Sequence, residues 1–101
     1  MKNGYKILWT NHALSELQKT IKYLEDYWTE GDVANFAVKL ENTILLLSRS
    51  PKIFPKSDVK EGIRRVIVAK HNTLYYKIVD KNIIILSLFS HRQDPSKKKL
   101  K

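Results

Sequence analysis

Two histidines and a set of cations in the C-terminal half are the residues that can carry chemistry. His91 stands at the end of the last apolar run, and His71 stands in a polar break before it. Arg65, Lys70 and Arg92 lie within or beside the same runs. That set suits metal-free cleavage of RNA by its own 2′-hydroxyl. The hydroxyl must lose a proton, the leaving oxygen must gain one, and cations must take up the extra charge of the phosphorane. Histidine moves protons near neutral pH, and arginine grips phosphate through two parallel N–H bonds. Arg65, His91 and Arg92 are therefore the catalytic candidates. Tyr75 offers a ring to stack on a base. Arg64, Lys70, His71 and Lys77 complete the set that would bind RNA or another target. Each has a plainer reading beside this one: a solvated turn histidine, an ion-paired strand arginine, a lysine that keeps the chain soluble.

Other chemistries find no support. The chain has no cysteine, which excludes disulfides, thiolate metal sites and a cysteine nucleophile. Three scattered histidines make no metal cluster, and no glycine-rich phosphate loop is present. Ser87, His91 and Asp94 can be written as a triad, but no nucleophile elbow or oxyanion motif accompanies them. No metal and no cofactor is expected.

The elements that must position these residues follow from periodicity. Residues 62–95 read GIRRVIVAKHNTLYYKIVDKNIIILSLFSHRQDP. Three runs rich in β-branched and aromatic residues are separated by Lys70-His71-Asn72 and Asp80-Lys81-Asn82, the pattern of a three-stranded antiparallel meander. Alternation sets Arg65 with Ile63 and Ile67, and Arg64 with Val66 and Val68. Leu74, Tyr76 and Ile78 oppose Tyr75, Lys77 and Val79. The third run is apolar on both faces up to Leu88, as an interior strand would be.

Upstream, Tyr5–Trp9 predicts a short strand, with Thr10 or Asn11 as the following helix cap. Leu14, Leu17, Ile21, Leu24 and Trp28 recur at helical spacing, which predicts a first helix over His12–Trp28 with Trp9 and Trp28 in the core. Gly31 is expected to turn the chain and Asp32 to cap a second helix over Val33–Ser48, with Leu45 and Leu46 widening its apolar stripe. Pro51 ends that helix. Ile53 and Phe54 are expected to pin the connector from Ser50 to Glu61, and the Tyr76 hydroxyl to reach an edge partner. The fold class is α+β, in the order β-α-α-β-β-β. A four-stranded, mostly antiparallel twisted sheet carries a helical hairpin on one face and leaves the other open. Residues 1–95 form the single domain, and the basic run 96–101 is expected to be a flexible tail.

The 101 residues carry a net charge of +9. Residues 1–50 hold six basic and six acidic side chains, whereas residues 51–101 hold thirteen and four, so the whole excess sits in the strand half. Such a one-sided field favours a polyanion, whether RNA, DNA or an acidic protein. The N-terminal MKNGYKILW has no apolar leader core, and no apolar run is long enough to span a bilayer. A cytoplasmic chain without a membrane partner is expected.

Read together, these segments resemble the RelE/ParE superfamily of bacterial toxins from type II toxin–antitoxin systems. The likeness rests on W-T-x-x-A-x-x-x-L-x-x-x-I at Trp9–Ile21 and F-P at Phe54-Pro55. It continues with G-I-R-R at Gly62–Arg65, Y-Y-K-I at Tyr75–Ile78, and I-x-I-L-x-L-F-x-x-R-Q-D-P at Ile83–Pro95. The resemblance implies a toxin neutralised by a cognate antitoxin, one that would be acidic, fold on binding and form a hetero-oligomer with it. It implies either cleavage of messenger RNA on the ribosome, as in the RelE-like branch, or non-enzymatic inhibition of DNA gyrase, as in the ParE-like branch; a member that only binds antitoxin is the third possibility. Family ribonucleases often carry a tyrosine or a histidine–tyrosine pair near the C-terminus. This chain has no aromatic residue after Phe89, and its Arg-Gln-Asp-Pro ending is similar to the Arg-Arg-Asp-Pro of ParE-like members.

Overall fold

In the computed structural model, residues 4–57 and 61–91 are described. The elements run β1 (Lys6–Trp9), α1 (Asn11–Tyr27), α2 (Glu30–Arg49), a short 3-10 turn (Pro51–Ile53), β2 (Arg64–Ala69), β3 (Asn72–Val79) and β4 (Asn82–Ser90). The expected α+β order holds. The four strands form one sheet in the order β1-β4-β3-β2. β2, β3 and β4 are the antiparallel meander, while β1 joins β4 in parallel, so β4 is interior.

One hydroxyl turns β1 into α1. Thr10 Oγ1 accepts from the Ala13 N–H at 3.1 Å and donates to the Ile85 carbonyl at 2.9 Å. It caps the helix and ties its start to the sheet in the same stroke. The hairpin turn is tighter than its sequence suggests. Trp28 and Thr29 alone separate the helices. Thr29, not Asp32, is the N-cap of α2, and Asp32 answers it from the third helical position in a reciprocal capping box. Gly31 therefore lies inside the helix. Positive φ among the described residues occurs at Gly62 and at Asp80 in the β3–β4 turn.

The core lies between the helices and one sheet face. Ala13 and Leu24 of α1 and Phe36 and Leu47 of α2 meet Val66, Leu74, Tyr76, Ile83, Ile85 and Leu88. Each fully buried Leu or Ile contributes about 1.5–3 kcal/mol. Tyr76, the bulkiest fully buried side chain, donates to the Pro51 carbonyl at 2.6 Å and so pins the connector. Several expected core residues are not there. Trp28 is 49% exposed, and Leu45, Leu46 and Ile53 are exposed as well. Trp28 caps the end of α1 at the tip of the helical hairpin, and Leu45 and Leu46 lie on the exposed side of α2. Phe54 does pack on the core, without Ile53.

Two irregularities shape the sheet. In β2 the pairing shifts between Ile67 and Ala69. In β4 Tyr75 pairs with Ser87 but Tyr76 with Ile85, which leaves Leu86 as the extra residue of a bulge. The buried positions of β4 are therefore Ile83, Ile85 and Leu88, a step of three instead of two. No helix among the described residues is long and apolar enough to cross a membrane.

Candidate functional site

Strand register divides the candidate residues between two faces. Direct cross-strand partners share a face, so Arg64, paired with Tyr76, lies on the side of the helices. Its guanidinium donates to the Phe54 carbonyl at 2.6 Å and to the Lys52 carbonyl at 3.3 Å. Arg64 is thus a strut of the connector. Arg65 pairs with Tyr75 on the opposite, open face, and Ile67 pairs there with Thr73 and through it with Phe89. Lys77 lies opposite Ile84 on the same face, beside Leu8 of β1.

His91 closes the upper end of this face. Its backbone N–H donates to the His71 carbonyl at 2.7 Å. Nε2 lies 3.0 Å from the Thr73 hydroxyl. Its ring stands edge-on to Phe89, with centroids 4.8 Å apart. Lys70 and His71 form the exposed β2–β3 turn directly beside it. The structure therefore brings Arg65, Tyr75, Lys77 and His91 to one surface, with Lys70 and His71 at its upper rim, and sends Arg64 elsewhere. Arg92, the Arg-Gln-Asp-Pro ending and the 96–101 run lie outside the described residues.

The open face is as apolar as it is basic. Ile67 is 68% exposed and Phe89 46%, and Leu8 and Val79 are also well exposed. These residues stand outside the charged set that the sequence singles out, although the alternation of Phe89 with buried Leu88 carries the signal. Thr73, the partner of His91, carries no signal in sequence, since threonine is a common strand former. Ser87, a member of the paper triad, donates its hydroxyl to Glu16 Oε1 at 2.6 Å and has no histidine on it.

One side chain on the site's far side has a displaced titration. Burial pushes the Tyr76 phenol up to about 12, against a smaller opposing pull from the Arg64 charge. Tyr76 thus stays neutral and serves as a donor.

The helical hairpin carries a concave surface of its own. A cleft of about 360 Å³ runs between α1 and α2, lined by Trp9, Leu17, Ile21, Val33, Phe36 and Leu40 together with Ala37, Glu41 and Ile44. Its walls are almost wholly apolar. Periodicity marks both helix stripes for burial against the sheet; part of each instead faces the other across this cleft.

Comparison with known proteins agrees with this geometry. The family model for the ParE toxin of the type II toxin–antitoxin system parDE matches residues 7–95. No curated protein matches the chain. Among solved structures, the chain is similar to one of the chromosomal ParDE system of P. aeruginosa, with a TM-score of 0.74 at 12% identity, over 90% of this chain and 100% of that one. It is similar to one from the E. coli DinJ–YafQ toxin–antitoxin complex, with a TM-score of 0.61 at 16% identity, over 86% of this chain and 92% of that one. It is also similar to the YoeB dimer of Staphylococcus aureus, with a TM-score of 0.58 at 17% identity, over 87% and 98%. At these identities the structural likeness speaks for the fold.

Proposed function

The chain belongs to the ParE toxin family of type II toxin–antitoxin systems, and from that premise we propose that it acts in the cytoplasm by docking on a protein, DNA gyrase, through the open face of its sheet. The observation that carries this is the composition of that face. Ile67 and Phe89 at one end of the face, and Leu8 and Val79 towards the other, expose apolar surface interleaved with Arg65, Lys77 and Lys6. Exposed apolar side chains interleaved with cations suit a protein-docking surface, since contiguous exposed apolar groups mark sites of association. The ending of the chain, by its resemblance to ParE-like members, supports the same branch.

A toxin of this kind has an antitoxin partner, and the hairpin cleft is where we place it. An amphipathic helix laid along Leu17, Val33, Ala37 and Leu40 would bury this apolar lining. The acidic remainder of the antitoxin would then lie against the basic strand half, giving a hetero-oligomer.

A second reading has one specific observation behind it. His91 and the Thr73 hydroxyl, 3.0 Å apart, share the open face with Arg65 and Tyr75. These are the groups that RNA cleavage requires, with His91 as proton carrier and Arg65 as the phosphate cation.

Two assays on the purified toxin separate the readings. Gyrase supercoiling is expected to be inhibited while messenger RNA remains intact in a translating extract. Arg65→Ala and His91→Ala should weaken that inhibition by far more than they weaken antitoxin binding, which the hairpin cleft carries. Cuts in the message that appear only on translating ribosomes, abolished by His91→Ala, would overturn the gyrase reading in favour of the ribonuclease.

A further inference from the structure

β1 has four residues and β4 nine, so β1 stops pairing at Ile85. Past that point the outer edge of β4 meets α1 in place of a strand. The Leu86 bulge falls at this junction. There the Leu88 N–H points outward, away from β3, and has no backbone acceptor beside it. Glu16 supplies one from α1. Its Oε1 lies 2.9 Å from the Leu88 nitrogen and 2.6 Å from the Ser87 hydroxyl, both of which donate to it. Nε2 of His12, one helical turn earlier, stands 3.3 Å from the same oxygen. The Glu16 side chain is 23% exposed.

We propose that Glu16 is a positioning residue that latches the C-terminal half of β4, and thereby fixes the Phe89–His91 end of the open face. The role rests on the reading of that face as the target-docking surface. A bulged strand end paired on one side only is free to slip or fray. Glu16 removes that freedom at two adjacent residues with one oxygen. Hydrogen bonds to a carboxylate are about twice as strong as neutral ones, so few side chains of this length could do the same. The distance to the functional end is short. Leu88 and His91 are three residues apart, roughly 10 Å of extended chain. An error in the register or twist at Leu88 is therefore carried directly to the Phe89 ring and to the contact of His91 with Thr73. Glu16 lies outside the buried apolar cluster that holds the helices to the sheet. Its contribution is accordingly local.

Native-state hydrogen exchange and histidine NMR on Glu16→Ala and Glu16→Gln test the latch. In Glu16→Ala the Leu88 amide is expected to lose roughly 10- to 100-fold in protection. The His91 ring signals should shift, while amides in α2 and β2 keep their protection. Glu16→Gln, which retains one acceptor oxygen, should fall in between. Equal loss of protection throughout the chain, or no change at Leu88, would overturn the proposal. The functional arm uses the same variants. Glu16→Ala should lose about tenfold or more in gyrase inhibition with antitoxin affinity unchanged, partly restored in Glu16→Gln. A loosened Leu88 with full inhibition would overturn the positioning role. If the unmodified toxin inhibits no gyrase, the docking reading fails by itself, and the exchange data still judge the latch.

Discussion

His91 and Tyr76 show how one polar side chain becomes available for function and another is withdrawn from it. His91 reaches the open face, where a threonine hydroxyl and a phenylalanine edge orient its ring. Tyr76 points to the helices and spends its hydroxyl on the Pro51 carbonyl. Arg64 and Arg65 divide in the same way, one bonded to the connector carbonyls and one on the open face. Strand alternation made that split readable; which arginine faced the helices required knowing which side they cover. A prediction belongs to this scale. The Tyr76 phenol, raised from 10.0 to about 12 by burial, stabilises the fold in its neutral form. That contribution is fully present below pH 10 and is lost as pH rises towards 12. An ultraviolet titration should show a phenol ionising near pH 12 that Tyr76→Phe removes, and its persistence in the variant would refute the assignment. The same substitution should cost about 1–3 kcal/mol in denaturant unfolding, because the Pro51 carbonyl loses its donor.

Among the elements, the helical hairpin departs most from its sequence reading. The capping box at Thr29 and Asp32 starts α2 earlier than its apolar stripe does, and shortens the turn to two residues. Two helices joined so tightly leave a cleft between them, since neither can present its whole stripe to the sheet. Ala37 lines that cleft and is exposed. Ala37→Glu should therefore weaken antitoxin binding by about tenfold or more, since a carboxylate would have to be desolvated against an apolar helix. Thermal unfolding of the free toxin should change little, as surface substitutions usually stay within about 0.5 kcal/mol. Undiminished affinity in a binding titration would remove the cleft from the antitoxin interface. The bulge at Leu86 was invisible in sequence because both faces of that run are apolar, so no change of pattern marks the slipped register.

At the scale of the whole molecule, charge and shape are segregated. The +9 excess lies entirely in residues 51–101, while residues 1–50 are neutral in sum. The chain can therefore meet an acidic partner with its sheet half and an apolar helix with its hairpin. Raising salt from ~0.1 M to ~1 M shortens the screening length from ~10 Å to ~3 Å. Association with an acidic antitoxin should slow by about tenfold or more over that range, with dissociation changing far less. A rate of association insensitive to salt, measured by surface binding kinetics, would show that the basic half does not steer the encounter.

The linear chain by itself determined the order of elements, the alternation of the three meander strands and the charge asymmetry. These are properties of neighbours in sequence, set by side-chain period and turn chemistry. The family resemblance, too, was legible in short local segments. Only the tertiary structure decided which face is open, that Thr73 and Phe89 hold His91, and that Glu16 closes the edge where β1 ends. Those contacts join residues as far apart as Glu16 and Leu88, and they depend on strand order, on the length mismatch of β1 and β4 and on one inserted residue. Such features arise where separate elements meet, and no local periodicity records them.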